Sequence, residues 1–366
     1  MKNKLIFTSF ALAVMATAWL MPSRINKPEK ENNLSESTNE EDEKNVIQGA
    51  IDYFFDMRKN PATNKMDEYE MLRTREEVYN QYAVGASKTS AALGLKWTEL
   101  GPDNVGGRTR AILIDKKNPK RIYAGGVSGG LWISNNSGFT WNKYNDTIQS
   151  IAISCITQAS NGDIYFGTGE GLVGSNAFGV SDASHSGMLG AGVWKSTDDG
   201  ISFKRLSSTV PGFVSPTNAG WTFINKLATD PLDSNRIYAA TNFGLKLSDD
   251  GGKKWKEVKT GDATDIDVAS DGTVLAAING AGYLSAKDSS GNFGTFNQIP
   301  TTSGLPRAGR RVEFAIAPSD DNYMYACRAT DSSYLQGVFQ SKNKGQTWTQ
   351  IGGGRSKKFA PLSNAG

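Results

Sequence analysis

One phrase recurs along this chain and limits its possible folds more than any bulk property: Ser-x-Asp/Asn-x-Gly-x-Thr/Ser-aromatic. It runs from Ser134 to Trp141 (with Asn136 and Gly138), from Ser196 to Phe203 (Asp198, Gly200), from Ser248 to Trp255 (Asp250, Gly252) and from Ser341 to Trp348 (Asn343, Gly345). A degenerate copy, one residue longer, spans Ser285–Phe293. The same series precedes each copy: an apolar strand, a polar turn, a strand ending in Tyr-Ala or similar, a Gly-rich gap and a short strand. In the first copy these are Ala111–Ile114, Asn118-Pro119, Arg121–Ala124 and Gly129–Trp132. Units of roughly 40 to 60 residues with four short strands each read as the blades of an all-β propeller.

The motif has a mechanical logic. Asp or Asn at its third place folds onto nearby backbone N–H groups. Gly at its fifth takes the left-handed backbone that a hairpin needs. The aromatic at its eighth is expected to return into the layer between blades and bury a large apolar area. It is an architectural signal and is silent on catalysis.

Composition narrows the chemistry. The 366 residues hold 40 Lys+Arg against 37 Asp+Glu, which leaves no electrostatic footprint for nucleic acid. One histidine and two cysteines are too few for a zinc cluster or a disulfide framework. A Ser-His-Asp device has only His185 to build on. Cys155 and Cys327 sit in separate strand-like runs and read as two buried thiols.

The start of the chain reads as an address. Residues 1–18 combine a basic Met1–Lys4, an apolar stretch and Ala16-Thr17-Ala18, which together form a secretory signal peptide. The expected location is therefore secreted or cell-surface, with no transmembrane helix after cleavage. Residues 19–45 form a disordered charged linker, whose Glu29–Lys44 stretch has no aromatic residue to bury. Residues 46–96 are a helical prefix and linker, with one helical pattern halted at Asn60-Pro61 and a second from Asp67 to Ala83. Residues 97–352 carry about five blades, and 353–366 form a tail.

Ser-x-Asp-x-Gly-x-Thr-Trp resembles the Asp-box of bacterial-neuraminidase-repeat propellers. Asn118–Gly126 and Gly167–Gly171 are similar to the sortilin-type branch, which includes secreted bacterial proteins and xyloglucanase-like hydrolases. A leader followed by a helical prefix resembles large cell-surface proteins of Bacteroidetes, many of which use type IX secretion. Lys96–Gly101 reads like a fourth strand without its own three. Because propellers often close by completing one blade from both termini, this pattern implies a truncated piece of a larger ring. A five-blade ring with a redundant edge strand is the alternative.

Antiparallel blades place the motifs on one face and the longer connections on the other. Those connections are Pro102–Arg108, Gly167–Gly192, Thr209–Phe223 and Thr301–Arg311, and loops on a rigid scaffold carry function. Glu170 and Asp182 are the candidate carboxylate pair for glycoside hydrolysis. Arg108, Arg110, Arg310 and Arg311 lie near the central funnel and suit carboxylate ligands, with His185 and Trp221 as further ligand contacts. The Tyr/Phe-Arg-Ile-Pro signature of sialidase-type propellers is missing. Asp262, Asp265, Asp267 and Asp271 lack the spacing of a calcium loop and read as turn residues, so no cofactor is expected beyond incidental calcium.

The functional expectation is a recognition module for an extracellular glycan or protein. A xyloglucanase-like glycoside hydrolase is the alternative and an envelope assembly factor a third reading. Exported with its own leader, the chain should begin at Trp19. Intact-mass measurement of the secreted product checks this, and a mass that retains residues 1–18 would refute it.

Overall fold

The computed structural model describes residues 52–53, 56–57, 59–64, 68–82, 107–144, 148, 150–171, 188–211, 220–287, 293–306, 311–330 and 335–353. The chain divides into two compact units, Met1–Asp67 and Glu68–Gly366. In the first, residues 52–53 and 56–57 are helical, Lys59 pairs with Asp56 at 2.7 Å, and Asn60 Oδ1 accepts the Ala62 N–H at 2.9 Å. That arrangement agrees with a helix stopped at Asn60-Pro61.

The second unit opens with helix α1 (Glu68–Tyr82), matching the expected second helical pattern. Five four-stranded antiparallel sheets follow, each a simple meander. The first blade holds β1 (Thr109–Ile114), β2 (Ile122–Gly126), β3 (Gly130–Ser134) and β4 (Asn142–Lys143). The second holds β5 (Ile153–Gln158), β6 (Ile164–Thr168), β7 (Val193–Ser196) and β8 (Lys204–Arg205). The third holds β9 (Ile224–Thr229), β10 (Ile237–Thr241), β11 (Gly244–Ser248) and β12 (Lys256–Lys259). The fourth holds β13 (Ala263–Val268), β14 (Val274–Ile278), β15 (Ala281–Lys287) and β16 (Phe293–Gln298). The fifth holds β17 (Val312–Ile316), β18 (Met324–Ala329), β19 (Leu335–Ser341) and β20 (Thr349–Gly352). The first strands pack in succession, β1 on β5, β5 on β9, β9 on β13 and β13 on β17, so they form the inner wall of a β-propeller.

The recurrent motif joins third strand to fourth. In four copies the Ser hydroxyl donates to the Asx Oδ1, at 3.0, 2.7, 2.9 and 2.9 Å from Ser134 to Ser341. The same Ser Oγ accepts the N–H of Gly138, Gly200, Gly252 or Gly345 at 2.8–2.9 Å. Asx Oδ1 then accepts the N–H of Thr140, Ser202, Lys254 or Thr347, each at 2.9 Å. The fourth and fifth residues both take positive φ, as at Asp199 (56°) and Gly200 (80°). In the copy at Ser285, residues 288–292 lie outside the described residues.

Three of the hairpins, in the second, third and fifth blades, also lock onto the preceding blade. The Asp199 carbonyl accepts from Tyr123 Oη at 3.0 Å and from Arg121 Nη1 at 2.6 Å, both on the first blade. Ser208 Oγ of the second blade donates to Gly252 O of the third at 2.5 Å. Lys344 of the fifth blade pairs with Asp271 of the fourth at 2.7 Å.

Between blades the core is apolar. Tyr123, Leu131 and Leu113 of the first blade meet Phe166, Trp194 and Phe203 of the second. Phe203 and Trp348 are buried as expected and Trp255 is half-buried, but Trp141 is 38% exposed. The reason lies in the register. Cross-strand neighbours Ile156, Phe166 and Trp194 turn toward the first blade, whereas the equivalent row Ile112, Ala124 and Trp132 has no described blade beyond it. Ile112 is accordingly 68% exposed. The lone-strand reading of Lys96–Gly101 falls outside the described residues. Cys155 is buried as expected. Cys327 is exposed, contrary to expectation, because it lies on the face of β18 opposite Met324 and Ala326, the side chains that pack on the fourth blade.

Replacing the fifth motif residue should cost stability according to its neighbour. A Cβ at Gly200 would come within 2.2 Å of Tyr123 Oη, whereas one at Gly138 meets nothing nearer than 3.8 Å. Urea unfolding of Gly200→Ala should show a loss of about 2–4 kcal/mol, strain plus overpacking, against about 1 kcal/mol for Gly138→Ala. Equal losses would contradict the interblade lock.

Candidate functional site

The starts of the innermost strands and the second-to-third-strand connections meet at one end of the propeller axis, where the sequence places most of its candidates. Arg110 enters with β1, and Glu170 follows β6. Arg110 Nη1 donates to Glu170 Oε2, and Arg108 Nη2 lies 3.5 Å from the same oxygen. The Glu170 backbone is fixed as well, exchanging N–H···O bonds with Met188 at 2.8 and 3.0 Å. The Glu170 side chain is only 6% exposed, while Arg108 remains 60% exposed at the mouth. Glu170 is thus engaged by two guanidinium groups, an arrangement suited to holding those forks in place.

Below this rim, side chains stitch neighbouring blades across the axis. Arg110 Nη2 reaches the Asn225 carbonyl of the third blade at 3.4 Å. Ser154 Oγ of the second blade donates to Ile224 O of the third. Asn225 Nδ2 donates to Ala263 O of the fourth at 2.8 Å. Asp265 accepts the Phe314 N–H of the fifth. These bonds tie strands that belong to different sheets and share no ladder.

A second charged group occupies the inner wall. Lys226 Nζ bridges Asp265 Oδ1 at 2.7 Å and Asp267 Oδ1 at 2.9 Å, and Arg311 Nε holds Glu313 at 2.6 Å. Burial, helped by the neighbouring Asp265 charge and opposed by Lys226, pushes the Asp267 carboxyl up to about 6. Burial and Asp265 likewise raise Glu313. Asp265 and Asp267 are therefore strand residues of β13, and the turn reading holds for Asp271, whose Oδ1 accepts the Thr273 N–H at 2.9 Å. Sequence reasoning passed over Lys226 and Glu313 and read Asp267 as a turn residue, whereas it lies within β13. The available signal was charge within the first strand of a blade, where apolar residues are the rule.

A cavity of about 240 Å³ opens along the axis, walled by Arg110, Ser154, Asn225, Lys226, Arg311 and Glu313 among others. The structure thus brings Arg108, Arg110, Glu170 and Arg311 to the axial region. Trp221 is engaged elsewhere: its ring lies edge-on to Trp255 at 4.9 Å, with Lys246 Nζ 5.7 Å above it. Asp182, His185 and Arg310 fall outside the described residues. Among the described residues no cluster of His, Cys, Asp or Glu is arranged to hold a metal ion, and no helix is long and apolar enough to cross a membrane.

No family profile matches the sequence, and neither does any curated protein. Several solved structures are similar. The GH74 enzyme of Niastella koreensis aligns at 20% identity and TM-score 0.45 over 66% of this chain, which spans 38% of that enzyme's length. YCF48 in complex with the D1 peptide aligns at 17% identity and TM-score 0.43, covering 69% of each chain. The extracellular domain of a hybrid two-component system of B. thetaiotaomicron aligns at 12% identity and TM-score 0.46, over 66% of this chain and 28% of that one.

The pH dependence of folding follows from the raised carboxyls. Asp267 binds its proton more tightly folded (about 6) than unfolded (3.8), so its contribution to stability is present at low pH and fades as pH rises between those values. Denaturation midpoints should fall from pH 4 to pH 6, with a shallower fall in Asp267→Asn. An unchanged slope in the variant would contradict the assignment.

Proposed function

We infer that this chain is an exported recognition propeller, an Asp-box protein of the sortilin-like kind. It binds an extracellular glycan or protein at the loop-rich end of its axis. The observation that carries this reading is the meeting of Arg108, Arg110 and Glu170 there. The carboxylate fixes two guanidinium forks at the mouth, and Arg108 keeps most of its surface open to a ligand. In this reading residues 1–18 are the signal peptide, 19–45 the tether, 46–96 the helical prefix and linker, 97–352 the propeller and 353–366 a tail.

Glycoside hydrolysis through Glu170 and Asp182 is the second reading. It needs one carboxyl to deliver a proton and another to act as base or nucleophile, while Glu170 is already occupied by two arginines. The Asp267 and Glu313 carboxyls, both held toward their protonated forms, are the feature that favours hydrolytic chemistry at all.

Affinity electrophoresis against neutral and acidic polysaccharides, paired with a reducing-end assay, separates the readings. Retardation without turnover, weakened about tenfold or more in Arg108→Ala, is expected for recognition. Turnover that disappears in Glu170→Gln would overturn it in favour of hydrolysis, and retardation unaffected by Arg108→Ala would move binding away from this mouth.

A further inference from the structure

The outer rim of the propeller carries an inference separate from ligand binding at the axis. Among the described residues each sheet ends on its fourth strand, which leaves one edge of N–H and C=O groups outside any ladder. Natural sheets guard such edges with short strands and charged side chains. Three rims follow that rule. β4 has two residues and includes Lys143, β8 is Lys204-Arg205, and β12 carries Lys256, Glu257 and Lys259. At β8, Arg205 also donates to Glu76 of α1 at 2.9 and 2.6 Å. β20 is uncharged but only four residues long.

β16 departs from the rule. It runs six residues, Phe-Gly-Thr-Phe-Asn-Gln, with no charge and no proline. Its blade is the one with the degenerate motif. In the four regular copies the fourth strand begins after the motif's aromatic residue, whereas β16 begins at Phe293 itself, paired with Lys287. The strand is firmly anchored. Phe296 is 7% exposed and packs in the core shared with Tyr238, Leu245 and Leu247 of the third blade. The Ile299 N–H reaches Gly282 O on the β15 side, so alternation turns the N–H and C=O of Phe296 and Gln298 outward. Thr295 and Asn297 flank Phe296 with exposed side chains.

We propose that β16 pairs with the β16 of a second copy of this chain, antiparallel about a two-fold axis at Phe296. An edge of alternating N–H and C=O groups is matched by another extended backbone, and a second copy brings one of equal length. In that register Thr295 of each copy faces Asn297 of the other, an uncharged cross-strand pair. Self-pairing of β4 or β8 would instead bring like charges together.

Sedimentation equilibrium of the full chain tests this. A reversible monomer–dimer equilibrium is expected, half-associated on the order of 100 μM because one strand pair buries less than a standard interface. Thr295→Lys/Asn297→Lys should weaken association at least tenfold, since lysines then face each other across the axis. Thr295→Glu/Asn297→Glu should do the same alone, and mixing the two variants should restore a dimer. Both positions are exposed, so the fold is retained, and an unchanged melting temperature verifies that. A chain that stays monomeric tenfold above the expected concentration would overturn the proposal and leave the edge to a foreign strand. So would a dimer indifferent to the lysine pair, failed rescue in the mixture, or loss of the dimer only when Thr349 and Ile351 of β20 are changed instead. None of these outcomes touches polysaccharide retardation at the mouth, so the two readings fail separately.

Discussion

No blade in this protein can hide either of its faces from water alone. A four-stranded sheet is one layer thick, and a lone sheet with two apolar faces finds cover only against another. Everything else in the molecule answers that constraint. Tyr123 and Leu131 of the first blade are hidden only because Phe166, Trp194 and Phe203 of the second lie against them, and the pattern continues around the axis. Where no described blade adjoins, the same register positions are left open, as at Ile112 and Trp132.

Apolar contact alone would let neighbouring sheets slide. The turns of the second, third and fifth blades resist this because each presents a backbone carbonyl or a charged side chain to the previous blade at a fixed point. The Asp199 carbonyl receives two donors from the first blade, and Lys344 reaches Asp271. Ser Oγ, Asx Oδ1 and two successive positive-φ residues give the turn one shape in four places, so the locks repeat with the blades.

At the axis the problem is reversed. The innermost strands converge where polar groups need partners, and the solution is a set of crossed bonds between blades. Arg110 serves the second and third blades, Asn225 the third and fourth, and Asp265 joins Lys226 of the third to Phe314 of the fifth. Groups that hold the wheel together thereby also line its cavity. The charges of the site are set in a rigid frame, which is the condition for selective binding by a few polar contacts.

How far the sequence reached depends on whether a feature is local. The motif turns, the four-strand meanders and the helix at Glu68–Tyr82 depend on neighbours a few residues apart, and all were legible as spacing. So was the gathering of Arg108, Arg110 and Glu170 at one end, because antiparallel order alone assigns connections to faces. The roles of individual charges were not. Glu170 as a clamp for two arginines, Lys226 between two aspartates and Asn225 bonded to Ala263 depend on residues from separate blades, brought together only when the sheets close around the axis. Periodicity in the chain determined the wheel. Tertiary contact decided which of its polar residues were consumed in holding it together and which still face the cavity.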